Sequence, residues 1–188
     1  MDRSLKYYWF IAIFAGIIIL FSQVFYIMQL YQHEKTTYVT QQNERITNAI
    51  YEFNMKMADP KQTISFNPAT YLLTYIINDQ ILRFQLKAKD NIRQIIEQNK
   101  YDIQDPSRWT LQHFHSYLQT KRDSNTIENL PINFAIKDSI NQIKASYPSS
   151  WISPRSCELK MPLGFLTKDT LYASYNYPFK LFLNLAGN

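Results

Sequence analysis

The sequence is poor in glycine, cysteine and clustered charge, and each shortage argues against a class of protein. Glycine occurs 3 times in 188 residues, too rarely to suit the glycine-rich loops that bind nucleotide phosphates. Cys157 is the only cysteine, so no intramolecular disulfide forms. The net charge of +5 comes from basic residues that occur singly or in pairs such as Lys121-Arg122, which argues against a nucleic-acid surface. We therefore expect no cofactor, no nucleic-acid partner and a domain stabilised by packing.

Charged residues are missing altogether from Tyr7 to Gln32. As a helix, these 26 residues would extend roughly 39 Å, beyond the about 30 Å of a bilayer's hydrocarbon core. The pattern predicts an uncleaved transmembrane helix, because a signal peptide has a shorter apolar region and small residues at its cleavage site. Aromatic residues lie at both ends, as in the interfacial belts of membrane helices: Tyr7, Tyr8 and Trp9, then Phe25, Tyr26 and Tyr31.

The helix is predicted to continue well beyond the membrane. No glycine or proline occurs between Gly16 and Pro60, and proline disfavours helix in the residue before it, so the helix should end near Ala58. Its apolar residues recur at helical spacing: Val39, Ile46, Ile50, Phe53 and Met57. Two interpretations of this stripe stay open. It packs on its own domain, or it forms a dimer and signalling seam between parallel copies through Ile46, Ile50, Phe53 and Met57.

The segments after this helix predict a short connection followed by two helices. Residues 61–69 indicate the connection. The apolar residues between Tyr71 and Ala88 fit either a strand or a helix, and their spacing favours a helix. Residues 91–100 are typical of a short amphipathic helix.

Asp105-Pro106 predicts the start of another helix, with aspartate as N-cap and proline at the first helical position. Apolar residues then follow helical spacing to about Lys121, whose charge suits the negative end of the helix dipole. These apolar residues are Trp109, Leu111, Phe114, Tyr117 and Leu118.

The pattern changes to period two after Leu130, which predicts strands. Ile132, Phe134 and Ile136 alternate with other residues, and Asp138-Ser139 follows as a turn. Three more strands are predicted in residues 140–147, 156–161 and 170–177. The order gives an α+β domain with helices on one face of an antiparallel sheet of about four strands.

Residues suited to catalysis or metal binding are sparse. No phosphate-binding loop, dinucleotide fingerprint, zinc-protease helix or nucleophile elbow occurs. His33-Glu34 lies at the predicted membrane edge, while His113 and His115 point away from each other if they lie on a helix. Cys157 fits a small buried side chain better than a nucleophile. Three basic residues near the last strands fit solvated cations better than an anion site: Arg155, Lys160 and Lys168.

Part of the chain resembles the extracytoplasmic input region of bacterial sensor histidine kinases. In that family an anchor and a long helix precede a helix with spaced leucine and phenylalanine, and then an apolar strand that ends in aspartate. The matching residues are Leu111, Phe114 and Leu118 in the helix, and Ile132, Phe134, Ile136 and Asp138 in the strand. The resemblance implies a PAS- or Cache-like fold, a homodimer, and a small-molecule or protein ligand.

The end of the sequence is similar to the point where this family enters its second transmembrane helix. Tyr177-Pro178 is followed there by Phe179, Leu181, Phe182 and Leu183. A slight excess of basic residues before the span, Arg3 and Lys6, predicts a cytoplasmic N-terminus. The expected layout is residues 1–6 cytoplasmic, 7–32 transmembrane, 33–59 a connecting helix, 60–178 an extracytoplasmic domain, and 179–188 the start of a possible second transmembrane segment.

The resemblance predicts a sensory input module of a two-component kinase in a bacterial inner membrane. The kinase core would lie outside this sequence, which contains no catalytic motif and identifies no ligand-binding residue. Two alternatives stay open. One is a bitopic envelope scaffold with no sensing role, and the other is an envelope hydrolase, which would need clustered acid and base residues in a pocket.

Overall fold

The structure, a computed structural model, describes residues 3–87, 90, 92–121, 131–150, 157–175, 177–179 and 182–183. It contains two compact units, one made of Met1–Gln41 with Tyr177–Asn188 and the other of Gln42–Asn176. The helices are α1 (Arg3–Met57), α2 (Ile92–Asp102) and α3 (Leu111–Thr120). The strands are β1 (Thr63–Asn67), β2 (Leu72–Ile77), β3 (Gln80–Gln85), β4 (Ile132–Lys137), β5 (Ile143–Tyr147), β6 (Leu159–Pro162) and β7 (Thr170–Tyr175).

α1 is one helix over its whole length, as the absence of proline predicts. Its most apolar 18-residue window has a mean hydropathy of 2.4, and none of that window is buried. By length and composition α1 is therefore able to cross a membrane. It ends as predicted, just before Asp59-Pro60, and the carbonyl of Met57 accepts a hydrogen bond from the N–H of Asp105 at 3.1 Å.

A three-stranded antiparallel sheet, in the order β1-β2-β3, occupies the region where a connection and a helix were predicted. Both predictions were wrong. β2 and β3 form a hairpin in which Ile77 pairs with Gln80 across the turn residues Asn78 and Asp79. These two have φ angles of 48° and 64°, as a two-residue hairpin turn requires, and short polar residues adopt such angles most easily. The nearly continuous apolar residues of β2 hid the period of two.

α2 confirms the short amphipathic helix, but the next helix begins later than predicted. Thr110 caps α3, and its hydroxyl accepts the N–H of His113 at 3.1 Å. Asp105 instead forms a turn, where its side chain accepts from the N–H and the hydroxyl of Ser107 at 2.9 and 2.7 Å. Aspartate before proline favours such a turn as well as a helix start. The end of α3 at Lys121 is confirmed.

The second sheet confirms the four antiparallel strands, which lie in the order β5-β4-β7-β6. Asp138 forms the predicted turn after β4, with its side chain accepting the N–H groups of Ile140 and Gln142 at 3.0 and 2.9 Å. The fold is therefore α+β, with a long apolar N-terminal helix and two antiparallel sheets. The PAS or Cache likeness stays a prediction.

The later part of α1 packs in the core of the unit Gln42–Asn176. Ile46, Ile50 and Phe53 are at most 1% exposed, and Met57 is half-buried. Three buried members of the stripe therefore pack on their own domain, as one interpretation expected. The pairing of two copies along Ile46, Ile50, Phe53 and Met57 stays a prediction.

Aromatic rings hold α1 against α3. The ring of Phe53 lies near those of Trp109, Phe114 and Tyr117, with centroid distances of 5.7, 5.6 and 5.4 Å. The indole N–H of Trp109 donates to the buried side-chain oxygen of Asn54 at 2.7 Å. This bond satisfies a polar side chain that would otherwise oppose burial of the helix face.

Candidate functional site

An apolar pocket of about 310 Å³ lies in the unit Gln42–Asn176. Helix α1 supplies Met55 at its end, and Ala58 follows it. Strand β1 supplies two further lining residues, and α2 supplies another two. The last lining residue directly follows α2. The lining residues are Met55, Ala58, Ile64, Phe66, Ile96, Lys100 and Ile103. This volume lies at the lower end of the range of small-molecule pockets, about 300 to 1,000 Å³.

Simple periodicities place these side chains around one space. Ile64 and Phe66 are two apart on β1 and therefore share a face of the sheet. Ile96, Lys100 and Ile103 are spaced four and three apart, which aligns them along one side of α2 and its extension. The adjacent face of α2 is turned to the core, where Ile95 is buried and Asn99 is inaccessible to solvent.

Lys100 gives the pocket its electrostatic character. Among the described residues that line the pocket, it is the one that is charged, and it is half-buried. Met55, at 61% exposed, marks an open side. The other six described lining residues are apolar, which suits a ligand that is largely hydrocarbon.

Asp102, the last residue of α2, binds the loop between β6 and β7. Its carboxylate accepts the N–H groups of Phe165 and Leu166 at 2.7 Å each, and the N–H and hydroxyl of Thr167 at 3.2 and 3.0 Å. Burial raises the pKa of Asp102, against the lowering effect of these hydrogen bonds. We call Asp102 with residues 163–169 the loop clamp. Because Ile103 follows Asp102 directly, the clamp fixes the edge of the pocket.

An ion pair holds the far end of the loop clamp. Asp169 is 3% exposed, and its two oxygens lie 2.7 and 2.9 Å from the ammonium of Lys144. The hydroxyl of Tyr101 also donates to Asp169, at 3.1 Å. Burial, followed by the charge of Asp169, raises the pKa of Tyr101, so this donor stays protonated at neutral pH. The loop is thus bound to α2 and to β5.

Gly164 allows the loop clamp to close, and replacing it tests the clamp. A β-carbon at Gly164 would overlap the hydroxyl of Thr167 and the carboxylate of Asp102, and would lie 3.1 Å from the ring of Tyr101. We expect Gly164→Ala to lower the free energy of unfolding by about 1 to 3 kcal/mol, because overpacking displaces bonded groups. The measurement is chemical unfolding of the full chain in lipid nanodiscs.

Gly16→Ala is the matched control for this substitution. Nothing lies within 4 Å of the added carbon at Gly16, and alanine favours a helix over glycine by about 1 kcal/mol. Equal unfolding curves for Gly164→Ala and the wild type would show that the loop is not closely held.

A group of aromatic residues forms a second feature, in the unit that contains Tyr177–Asn188. The hydroxyl of Tyr31 donates to the carbonyl of Tyr177 at 2.8 Å. The ring of Tyr31 also lies 5.0 and 5.6 Å from the rings of Phe179 and Phe182. Tyr38, two helical turns further along α1, lies 5.1 Å from the ring of Tyr177. We call these five residues the exit cluster, because their contacts hold the segment that follows β7 against α1.

The residues that the sequence singled out for chemistry do not come together. His113 and His115 lie on α3 and contact different groups, the carbonyl of Arg108 and the side chain of Gln119. Across the described residues, no group of three or more histidine, cysteine or acidic side chains is placed to hold a metal ion. Cys157 is half-buried rather than buried.

The three basic residues near the last strands are also separate. Lys160 lies over the ring of Tyr172 at 5.7 Å, and Lys168 lies over that of Phe165 at 4.3 Å. Arg155 lies outside the described residues. Lys100 and Asp102 were missed as site residues. Lys100 is the last residue of the predicted amphipathic helix, and Asp102 lies two residues beyond it.

Comparisons with protein families, curated proteins and solved structures found no match to this chain. A functional assignment therefore depends on the geometry of the chain itself.

Proposed function

We propose that this chain is the sensory input module of a two-component histidine kinase, anchored in a bacterial inner membrane with its domain outside the cytoplasm. One observation carries the proposal. α1 contains the uncharged span Tyr7–Gln32 and, in its last turn, a residue that lines the pocket, Met55. A ligand in the pocket would therefore contact the same helix that crosses the membrane.

The contacts of α1 indicate how a ligand would act. A ligand shifts a two-state equilibrium only through its different affinity for the two states. Met55 and Ala58 would make contacts that depend on the ligand, while Phe53 lies on the packed face of the same turn. Because cores repack between discrete arrangements, a change in the pocket would shift the last turns of α1 as a unit.

The exit cluster supports a second route by which a change in the domain would reach the membrane. β7 ends at Tyr175, and the chain reaches Tyr177 two residues later. In the proposed module, a shift of this last strand would pull on the contacts between Tyr177, Phe179 and the ring of Tyr31. Both segments that approach the membrane would then respond to the domain.

A homodimer is part of the proposal. Ile46, Ile50 and Phe53 are already buried, so two copies would meet chiefly along the exposed span of α1. Packing between such helices comes from van der Waals contact and lipid entropy.

A bitopic envelope scaffold is the second candidate, and the hairpin of β2 and β3 favours it. Ile76 and Ile81 pair across the strands and are 40% and 58% exposed. Exposed apolar side chains side by side are typical of a surface that another protein covers. A scaffold would use this hairpin and would need no response from the pocket.

A spin label on α1 tests the proposed relay. We place it at Glu34→Cys, in a Cys157→Ser background, on the full chain in liposomes. Ile64→Trp fills the pocket and should change the exposure of the label to water-soluble and lipid-soluble relaxing agents. Ser65→Trp is the matched control, because Ser65 is exposed on the other face of the same strand. If the two variants give the same label exposure as the wild type, no relay occurs along α1.

Alkaline carbonate extraction of cell membranes tests the anchor separately. We expect the full chain to stay with the lipid, because its span is uncharged over Tyr7–Gln32. Release of the intact chain into the soluble fraction would contradict both candidate functions.

A further inference from the structure

We infer that Gln23 joins two copies of this chain inside the membrane, through hydrogen bonds between the two side-chain amides. The partner is a second copy whose α1 runs parallel to the first. The inference rests on the proposed function, of which a homodimer is part, and it names the helix face and the polar contact that hold the copies together. Three properties of α1 lead to it, which are the depth of Gln23, its unpaired amide and the residues that share its face.

Gln23 lies deep in the predicted transmembrane span. The middle of Tyr7–Gln32 falls between Ile19 and Leu20, so Gln23 is about 5 Å from the middle along the helix axis. The hydrocarbon core extends about 15 Å to each side of its own middle. A glutamine side chain is too short to carry its amide from that depth to the headgroups.

The amide of Gln23 is unpaired in the single chain. Gln23 is exposed on α1, and within the described part of the chain its amide has no hydrogen-bond partner. The neighbouring Ser22 is satisfied by its own helix, because its hydroxyl donates to the carbonyl of Ile18 at 2.9 Å. An amide side chain both donates and accepts hydrogen bonds, and hydrocarbon supplies neither kind of partner. Another membrane helix that supplies both is therefore favoured as a neighbour.

A second copy supplies the matching chemistry at the matching depth. Two chains with the same membrane orientation place their Gln23 side chains at the same distance from the middle of the bilayer. Each amide then donates an N–H to the carbonyl oxygen of the other, so the contact is the same from both sides, as a twofold interface requires.

The exit cluster contacts a different face of α1 from the one that bears Gln23. Gln23 precedes Tyr31 by eight residues and so lies about 80° around the helix from it. The ring of Tyr31 contacts Phe179 and Phe182. The segment that follows β7 can therefore stay in place when a second copy packs on the face of Gln23.

The residues that share this face suit two parallel helices. They recur at alternating steps of four and three, the spacing of contact residues in a left-handed helix pair. Ala12 and Gly16 are small, which lets two backbones approach closely, and nothing lies within 4 Å of a carbon added at Gly16. One polar residue in such a seam fixes the register of the pair. The face consists of Ala12, Gly16, Ile19, Gln23, Tyr26 and Leu30.

Energy transfer between labelled copies tests the contact. The full chain with Cys157→Ser and Ser65→Cys carries a donor or an acceptor dye on the introduced cysteine, because Ser65 is exposed on β1. The two forms are mixed in phosphatidylcholine liposomes at a series of protein-to-lipid ratios. Gln23→Leu removes the amide and keeps the size of the side chain, while Gln23→Asn keeps an amide. Gln29→Leu is the matched control, since Gln29 lies about 120° around the helix and about 9 Å further from the middle of the span.

We expect energy transfer to rise with protein density in the labelled parent and equally in Gln29→Leu. Gln23→Leu should weaken dimerisation about threefold to tenfold, and Gln23→Asn should weaken it less. Equal transfer in Gln23→Leu and the parent would overturn the inference and leave the dimer of the proposed function standing. No transfer in the parent at any ratio would overturn both.

Oxidative cross-linking tests the face independently. In the Cys157→Ser background, Ile19→Cys places a thiol on the face of Gln23, and Phe21→Cys places one about 200° around the helix. We expect a disulfide-linked dimer mainly from Ile19→Cys. Equal cross-linking from the two positions would show that copies meet without a preferred face, which would overturn the inference.

Discussion

Replacing Phe53 with alanine should lower the free energy of unfolding by roughly 3 to 5 kcal/mol, the usual cost of truncating a buried phenylalanine. Phe53 is 1% exposed, and its ring contacts Trp109, Phe114 and Tyr117. The surrounding rings are held by α3 and by the bond from Trp109 to Asn54, so they cannot close over the space. The measurement is denaturant unfolding of the full chain in nanodiscs, followed by tryptophan fluorescence.

Met55→Ala is the matched control, because it truncates a large apolar side chain two residues away on the same helix. Met55 is 61% exposed, so the control should change the stability by less than about 1 kcal/mol. A loss for Phe53→Ala as small as that for Met55→Ala would mean that α1 is not part of the domain core. The relay along α1 would then lack its mechanical basis.

Lys144→Met should lower the free energy of unfolding by about 2 to 3 kcal/mol at neutral pH. The substitution leaves the carboxylate of Asp169 buried, where the hydroxyl of Tyr101 still donates to it. Breaking a fully buried ion pair from one side costs roughly 3 to 5 kcal/mol. We expect less because the side chain of Lys144 is 47% exposed, which lets water reach the vacated position.

The double variant Lys144→Met with Asp169→Asn separates lost packing from the isolated charge. An amide in place of the carboxylate removes the buried charge, so the double variant should be more stable than Lys144→Met alone. The measurement is again denaturant unfolding of the full chain. A double variant less stable than the single one would show that the geometry of Asp169, and not its charge, holds the loop.

The elements that could be predicted were those whose apolar residues recur at a clear spacing and whose ends are marked by a helix breaker or a turn. The continuous helix to Pro60 follows from missing helix breakers, and β4 follows from the alternation of Ile132, Phe134 and Ile136. The first sheet was missed because β2 is nearly continuous in apolar residues, which gives the same signal in a helix and a strand. The turn at Asn78 and Asp79 favours two strands over one helix. This preference becomes apparent only when the two strands pair on either side of the turn.

The pocket and the loop clamp could not be predicted from local patterns. The lining joins α1, β1 and α2, and the side chains meet only because the three-stranded sheet packs on α2. Asp102 was missed because the three residues whose N–H groups it binds follow it by more than sixty positions. Long-range contacts of this kind depend on topology, which propensity and spacing do not encode.

The burial of Ile46, Ile50 and Phe53 also bears on how molecules would find each other in a bilayer. The apolar stripe of α1 is already buried within its own domain, so association with a second molecule removes little further apolar surface from water. The fraction of paired molecules would then depend on the concentration of the protein in the membrane, as in any weak association equilibrium. Expression level alone would shift such a population between single molecules and pairs.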